Sequence, residues 1–200
     1  MNMKAVPAFL AAVCLALPLS AIAQADSTSA KMVPAQVALK GTIDAKKAQP
    51  GTTFQTTLVA KVHLSNGTDL PAGTVLVGQI AADDMQTTGD TKLAMRFTAA
   101  NLKNGQVVPI KATIVQFTKS EDVTGGGYVV AAGQSDAWDS NLKVDQKNVS
   151  SGVDFHSAAT STNSGVFVAS KGKDVTLRTG SEFALAISGT GPAAATTTGH

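Results

Sequence analysis

The sequence predicts an all-β fold: a small barrel or sandwich of about seven to nine mostly antiparallel strands with one long Gly/Ser/Asp-rich excursion. Three observations carry this. Apolar and polar side chains alternate along several stretches, the longest from Thr53 to Leu64. A tight turn feeding an amphipathic strand recurs three times: Pro50-Gly51-Thr52 runs on through Phe54 to Leu58, Ala72-Gly73-Thr74 through Leu76 to Ile80, and Thr179-Gly180-Ser181 through Phe183 to Ile187. No segment has a helical period.

The elements follow in order. Met1 to Lys4 is a short positive region, Ala5 to Leu17 is apolar, and Ala21-Ile22-Ala23 is a small-x-small cleavage site. Residues 1–23 therefore read as a signal peptide. A membrane anchor needs about 20 apolar residues, and Pro7 and Pro18 interrupt this run. Cys14 follows Ala11-Ala12-Val13, a poor lipobox. Residues 24–35 are small and polar and read as a disordered linker. A single β domain is expected over 36–188, and a low-complexity tail over 189–200.

Within that domain, strand one is expected over Gln36 to Asp44, with Val37, Leu39 and Ile43 on one face. Strand two spans Thr53 to Leu64 and places Phe54, Thr56, Leu58, Ala60, Val62 and Leu64 inward. Pro50, Gly51, Pro71, Gly73 and Gly180 are the structural turn residues. Strand three runs from Thr74 to Ala82, where Gly78 leaves room for a close neighbour. Strand four, Lys92 to Ala99, points Leu93, Met95 and Phe97 one way. Asn104-Gly105 is a hairpin signal before strand five, Gln106 to Phe117. Pro109 there marks a strand start or a sheet edge, because it has no N–H for the ladder. Residues 119–164 then turn rich in Gly, Ser, Asp and Asn and are read as one long loop, with a short β-like run from Tyr128 to Ala132. Strands resume at Gly165 to Ala169, Val175 to Leu177 and Glu182 to Ser188.

Composition narrows the function classes. Cleavage after Ala23 would leave 177 residues with no cysteine, so no disulfide or thiol chemistry is available to them. Only Lys4 is lost from the 16 basic residues, against 14 acidic ones, so the remainder is near neutral. That argues against nucleic acid as a partner and against a polybasic membrane patch. One Trp and one Tyr offer little for stacking on sugars.

No cluster announces a reaction. His63, His156 and His200 form no zinc-like pair, and His63 falls on the polar face of its strand. Asp83-Asp84, Asp136 and Asp139 lack calcium-loop spacing and read as solvated loop acids. There is no G-x-S-x-G, and Gly125-Gly126-Gly127 lacks the Lys-Ser/Thr of a phosphate loop. Asn66-Gly67-Thr68 and Asn148-Val149-Ser150 match glycosylation acceptors but read as turns. The expectation is therefore no enzyme, no catalytic residue, no metal and no cofactor. Tyr128, Trp138 and Phe155 are the interaction candidates, as apolar rings inside the excursion. Trp138 fits a residue that plugs the barrel or packs the loop down, or an exposed anchor.

A family resemblance adds to this reading. The residues that carry it are Ile43-Asp44-Ala45, Pro50-Gly51, Asn66-Gly67, the run Leu70-Pro71-Ala72-Gly73-Thr74-Val75-Leu76-Val77-Gly78, Arg96-Phe97, Asn104-Gly105 and the closing Leu177 to Ile187. They resemble the C-terminal β-barrel domain of TrbI-type conjugal-transfer proteins of type IV secretion systems, and a group of uncharacterised secreted bacterial proteins. The resemblance covers roughly half of the chain after the signal and speaks more to fold than to function. The inner-membrane helix, the Pro-rich segment and the pore-forming helical excursion of such proteins have no counterpart here. It implies a periplasmic or secreted barrel module that contacts envelope proteins, with no membrane span after signal cleavage and with oligomerisation left open. A glycan or small-molecule binding module is the alternative.

Overall fold

The computed structural model describes residues 31–118, Trp138 and residues 141–191. They form thirteen strands and no helix among the described residues: β1 (Val33–Leu39), β2 (Ile43–Asp44), β3 (Thr53–Leu58), β4 (Val62–His63), β5 (Asp69–Leu70), β6 (Val75–Ala81), β7 (Thr91–Asn101), β8 (Val107–Thr118), β9 (Lys143–Ser150), β10 (Val153–Ala158), β11 (Gly165–Ala169), β12 (Thr176–Leu177) and β13 (Glu182–Gly189). Strands β6-β3-β1-β13-β8-β7 pair in that order, and β6 also pairs with β7, which closes a six-stranded antiparallel barrel. The sheet continues from β7 through β11 and β10 to β9 at a free edge. Two short pairs, β2–β12 and β4–β5, follow the ends of β1 and β3 and put Ile43, Leu177, Val62 and Leu70 into the core.

The recurring turn is one structural device used three times. In each copy an N–H three residues on closes the turn: Thr52 to the Gln49 carbonyl, Thr74 to Pro71, Ser181 to Arg178. The glycines at the third position have φ of 88°, 81° and 84°, a conformation that a Cβ disfavours. Each glycine N–H then donates to the carbonyl ending a neighbouring strand, Gly51 to Ile80, Gly73 to Leu58 and Gly180 to Leu39. The N–H groups of Ile80, Leu58 and Leu39 donate back to the carbonyls of Thr52, Thr74 and Ser181. Each turn thus clasps the last or next-to-last residue of the strand beside the one it starts.

The barrel interior holds the inward faces of six strands, including Val37, Leu58, Leu76, Phe97, Ile114, Phe183, Leu185 and Ile187. Phe54 and Phe97 meet edge to face with centroids 5.3 Å apart. They need Gly78 beneath them: a Cβ there would lie 2.2 Å from Phe54 Cζ and 2.6 Å from the Arg96 carbonyl oxygen.

Several boundaries differ from the sequence reading. The alternation from Thr53 to Leu64 is not one strand: it leaves the barrel after Leu58, Val59 and Ala60 are exposed, and Val62 resumes in β4. The first strand likewise breaks after Leu39. The linker assigned to 24–35 ends earlier, because Met32 is buried and β1 begins at Val33. The largest difference lies in the excursion, whose second half is the β9–β10 hairpin. β9 is an edge strand with Lys143, Asp145 and Lys147 outward, so it lacks the apolar alternation that marks a core strand. Tyr128 to Ala132 lies outside the described residues.

One polar atom in the barrel lacks a partner. Thr56 is 0% exposed, and its Oγ1 makes no hydrogen bond among the described residues. Burying a hydroxyl without a bond is costly, and valine matches threonine in shape. Thr56→Val should therefore stabilise the barrel by about 1 kcal/mol in urea unfolding, where most core substitutions destabilise.

Candidate functional site

The two described interaction candidates, Phe155 and Trp138, are both buried. Phe155 is 0% exposed and packs on Phe167, centroids 4.9 Å apart, which in turn meets Phe117 and Phe183. These rings fill the space between β7, β8 and the added strands. The sequence reading places Phe155 in a loop; it lies instead on β10 of the β9–β10 hairpin, which turns its ring into the core. Trp138 is 8% exposed and packs with Met32, Val115, Ala184 and Ala186 on the outer face of β8 and β13. Tyr128 lies outside the described residues.

The two described histidines, His63 and His156, each pair with an aspartate in a separate place. His63 Nδ1 lies 2.7 Å from Asp69 Oδ1 on the β4–β5 hairpin, with Lys61 on the other carboxylate oxygen at 2.8 Å. The Lys61 bond, then the His63 bond, hold the Asp69 carboxyl below its ordinary value. His156 Nδ1 lies 2.6 Å from Asp145 Oδ1 between β10 and β9, in a hairpin rather than in a loop. Among the described residues no three His, Cys, Asp or Glu groups converge as a metal site would require.

The distinctive site is a fork between β7 and β8. Their ladder covers only Ala99↔Pro109, Ala100↔Val108 and Asn101↔Val107. Two local features end it there. On β7, Val77 pairs with Ala99 and Gly78 with Phe97, so Thr98 is an extra residue, a β-bulge that turns the strand. On β8, Pro109 has no N–H to give. Beyond this point the strands part, and β7 takes β11 as its partner through Thr91 to Met95.

Ser164 seals the base of the fork. Its N–H donates to the Met95 carbonyl, and its Oγ accepts from the Phe97 N–H at 2.9 Å. Its carbonyl accepts from the Ile114 N–H at 3.1 Å and from the Ser157 hydroxyl. One buried residue thus satisfies main-chain groups of both strands. The loop before it is pinned by Asp84, whose carboxylate accepts from the Thr162 N–H and hydroxyl and from the Asn163 amide. Neighbouring Asp83 accepts from Met85 N–H, from Thr87 N–H and hydroxyl, and from Lys92 at 3.3 Å. The two acids are therefore internal ties of the β6–β7 connection rather than free loop carboxylates.

Above Ser164 the fork opens as a cleft of about 330 Å³. Phe97, Ile110 and Ala112 floor it, and Arg96, Thr98, Lys111 and Thr113 rise along its sides. No acidic residue lines it, and neither Arg96 nor Lys111 has an ion pair among the described residues. The arrangement can bind; it holds no nucleophile–base pair. Of its residues, the sequence reading names Arg96 and Phe97 as carriers of the family resemblance, and it marks Pro109, at the end of the ladder beside the cleft, as an edge signal. Lys111, Thr113, Asn163 and Ser164 gave no local signal, since long-range pairing brings them together.

Two predictions test this construction. Ser164→Ala removes the acceptor of the buried Phe97 N–H, so it should cost about 1–3 kcal/mol. Amide exchange at Phe97 should accelerate more than at Leu76 in the intact part of the barrel. For Asp83, burial pushes the carboxyl up, but the Thr87 hydroxyl, the Lys92 ammonium and the Thr87 amide outweigh it and leave the group below its ordinary value. Its stabilisation is then complete above the unfolded value of about 3.9 and is lost as pH falls through the lower folded value. Asp83→Asn should cost about 1–2 kcal/mol at neutral pH. The gap to the parent should shrink as the pH falls below about 3.9 in thermal melts. No protein-family model matches the chain, and no curated protein matches it.

Proposed function

We propose that this chain is an exported, non-enzymatic β-barrel module that acts through protein–protein contacts in the bacterial cell envelope, in the periplasm or outside the cell. The observation that carries the reading is the β7–β8 fork, where a near-neutral scaffold presents an open cleft with an apolar floor and two cations that have no acidic partner among the described residues. Rigid elements that leave one place of unsatisfied recognition chemistry are typical of binding modules. The signal-like first 23 residues support export. The TrbI-like residues support an envelope setting: Gly51 and Gly73 sit in the clasping turns, and Arg96-Phe97 borders the fork. No helix among the described residues is long and apolar enough to cross a membrane.

A photocrosslinking amino acid placed at Lys111 in cells should give a discrete adduct with an envelope protein. The same group at Lys47, an exposed position in the turn after β2, should not. Adducts at Lys47 alone, or none at either position, would count against contact through the fork. Stabilisation of the purified protein by a glycan, with no adduct, would favour a small-ligand module.

A further inference from the structure

We infer that the fork binds the C-terminal end of a partner protein, with the terminal carboxylate against Arg96 and Lys111 and an apolar last side chain on the floor of Phe97, Ile110 and Ala112. The inference rests on the reading of the fork as a contact surface and names the chemistry of what it contacts.

The main chain at the fork leaves no room for an added strand. The pairing of Ala99 with Pro109 takes the Ile110 N–H to the Thr98 carbonyl, and the Ile114 N–H donates to the Ser164 carbonyl. Ala112 alone lies between these two blocked positions. On the β7 side, Ser164 already engages the Met95 carbonyl and the Phe97 N–H. An extended segment would find no ladder to join, so recognition here falls to side chains.

Those side chains offer two kinds of surface within one small space. Arg96 and Lys111 are cations with no ion pair among the described residues. Asp84, which pins the adjoining loop, does not line the cleft, and its carboxylate is engaged by Thr162 and Asn163. A guanidinium takes both oxygens of a carboxylate, and a lysine adds a point charge. The floor of Phe97, Ile110 and Ala112 asks for an apolar group instead. At about 330 Å³, the cleft is at the small end for a ligand site. Its occupant must therefore carry a carboxylate and an apolar group close together. Within an extended chain, neighbouring side chains point to opposite faces, so an internal acid and its apolar neighbour diverge. At a C-terminus, the carboxylate and the last side chain leave the same Cα. Capture of a terminal carboxylate is a recurring mode of peptide recognition.

The test uses the hexapeptide Gly-Ser-Gly-Ser-Val-Leu with a free C-terminal acid and an N-terminal fluorophore, read by anisotropy at low salt on the purified chain. Three peptides serve as controls: its C-terminal amide, the amide with Glu in place of Val, and the free acid ending in Gly. The parent peptide should bind saturably, and each control should bind about tenfold more weakly or not at all. The double variant Arg96→Gln/Lys111→Gln should weaken the parent peptide about tenfold and leave the amide unchanged, whereas Lys47→Gln should alter neither. Absence of binding, or equal binding of acid and amide, would overturn the inference. Equal binding of the Glu-containing amide would do the same, because it indicates a simple anion site. Competition by N-acetyl-leucine as tight as the hexapeptide would replace the chain end with a free small carboxylate. Peptide binding with the expected preferences but no in-cell adduct at Lys111 would overturn the envelope reading and leave this one standing. An adduct at Lys111 without any preference for the free acid would do the reverse.

Discussion

A closed barrel requires every strand to find two partners, and in this protein that requirement is met over only three residue pairs at the β7–β8 seam. Much of the remaining structure depends on how the rest of that seam is filled. The bulge at Thr98 also changes the parity of β7: Leu93, Met95 and Phe97 are inward before it and Ala100 after it. β7 can therefore serve β8 at one end and β11 at the other. Phe155 and Phe167 occupy the space between the parted strands, and Ser164 satisfies the main-chain groups that the ladder no longer pairs. The cleft is the part of the seam that neither device covers.

Opposite the seam, closure is regular. The clasps at Gly51 and Gly73 are reciprocal, since each turn holds the end of the strand that the other turn starts. β3 and β6 are thereby locked in register at both ends, and the Gly180 clasp fixes β13 against β1. Two Asn-Gly hairpins repeat a second device. In each, an asparagine side chain accepts from the N–H two residues on, Asn66 from Thr68 and Asn104 from Gln106. Register errors would move whole apolar faces to solvent, so devices that pin register matter most in a thin-walled barrel without disulfides.

The charges follow the same division. Most ion pairs are exposed and stay within one turn or hairpin, as with Lys61 and His63 on Asp69 or Lys147 on Asp154. Such pairs contribute little to stability. Asp83 and Asp84 differ, because their carboxylates organise the β6–β7 connection and the loop that ends the fork. Arg96 and Lys111 stand unmatched above the fork, and that imbalance gives the cleft its sign.

The sequence by itself determined what neighbours along the chain decide. Alternation over Thr53 to Leu58, Val75 to Ala81 and Gln106 to Ile114 identified strands and their inward faces, because side-chain direction repeats every two residues whatever the partner. Turn chemistry located Gly51, Gly73, Gly180 and Asn104-Gly105, because φ > 0 is a property of the residue itself. It failed where period two breaks at the exposed Val59 and Ala60, and where an edge strand such as β9 carries only Val144 and Val149 as apolar residues. Only the tertiary structure decided that Phe155 is core, that Trp138 is buried against the outer face of β8 and β13, and that Ser164 meets Phe97 from 67 residues away. Those outcomes depend on which strands lie side by side. That is settled by closing the barrel and burying its apolar faces together, and no local stretch of sequence encodes it.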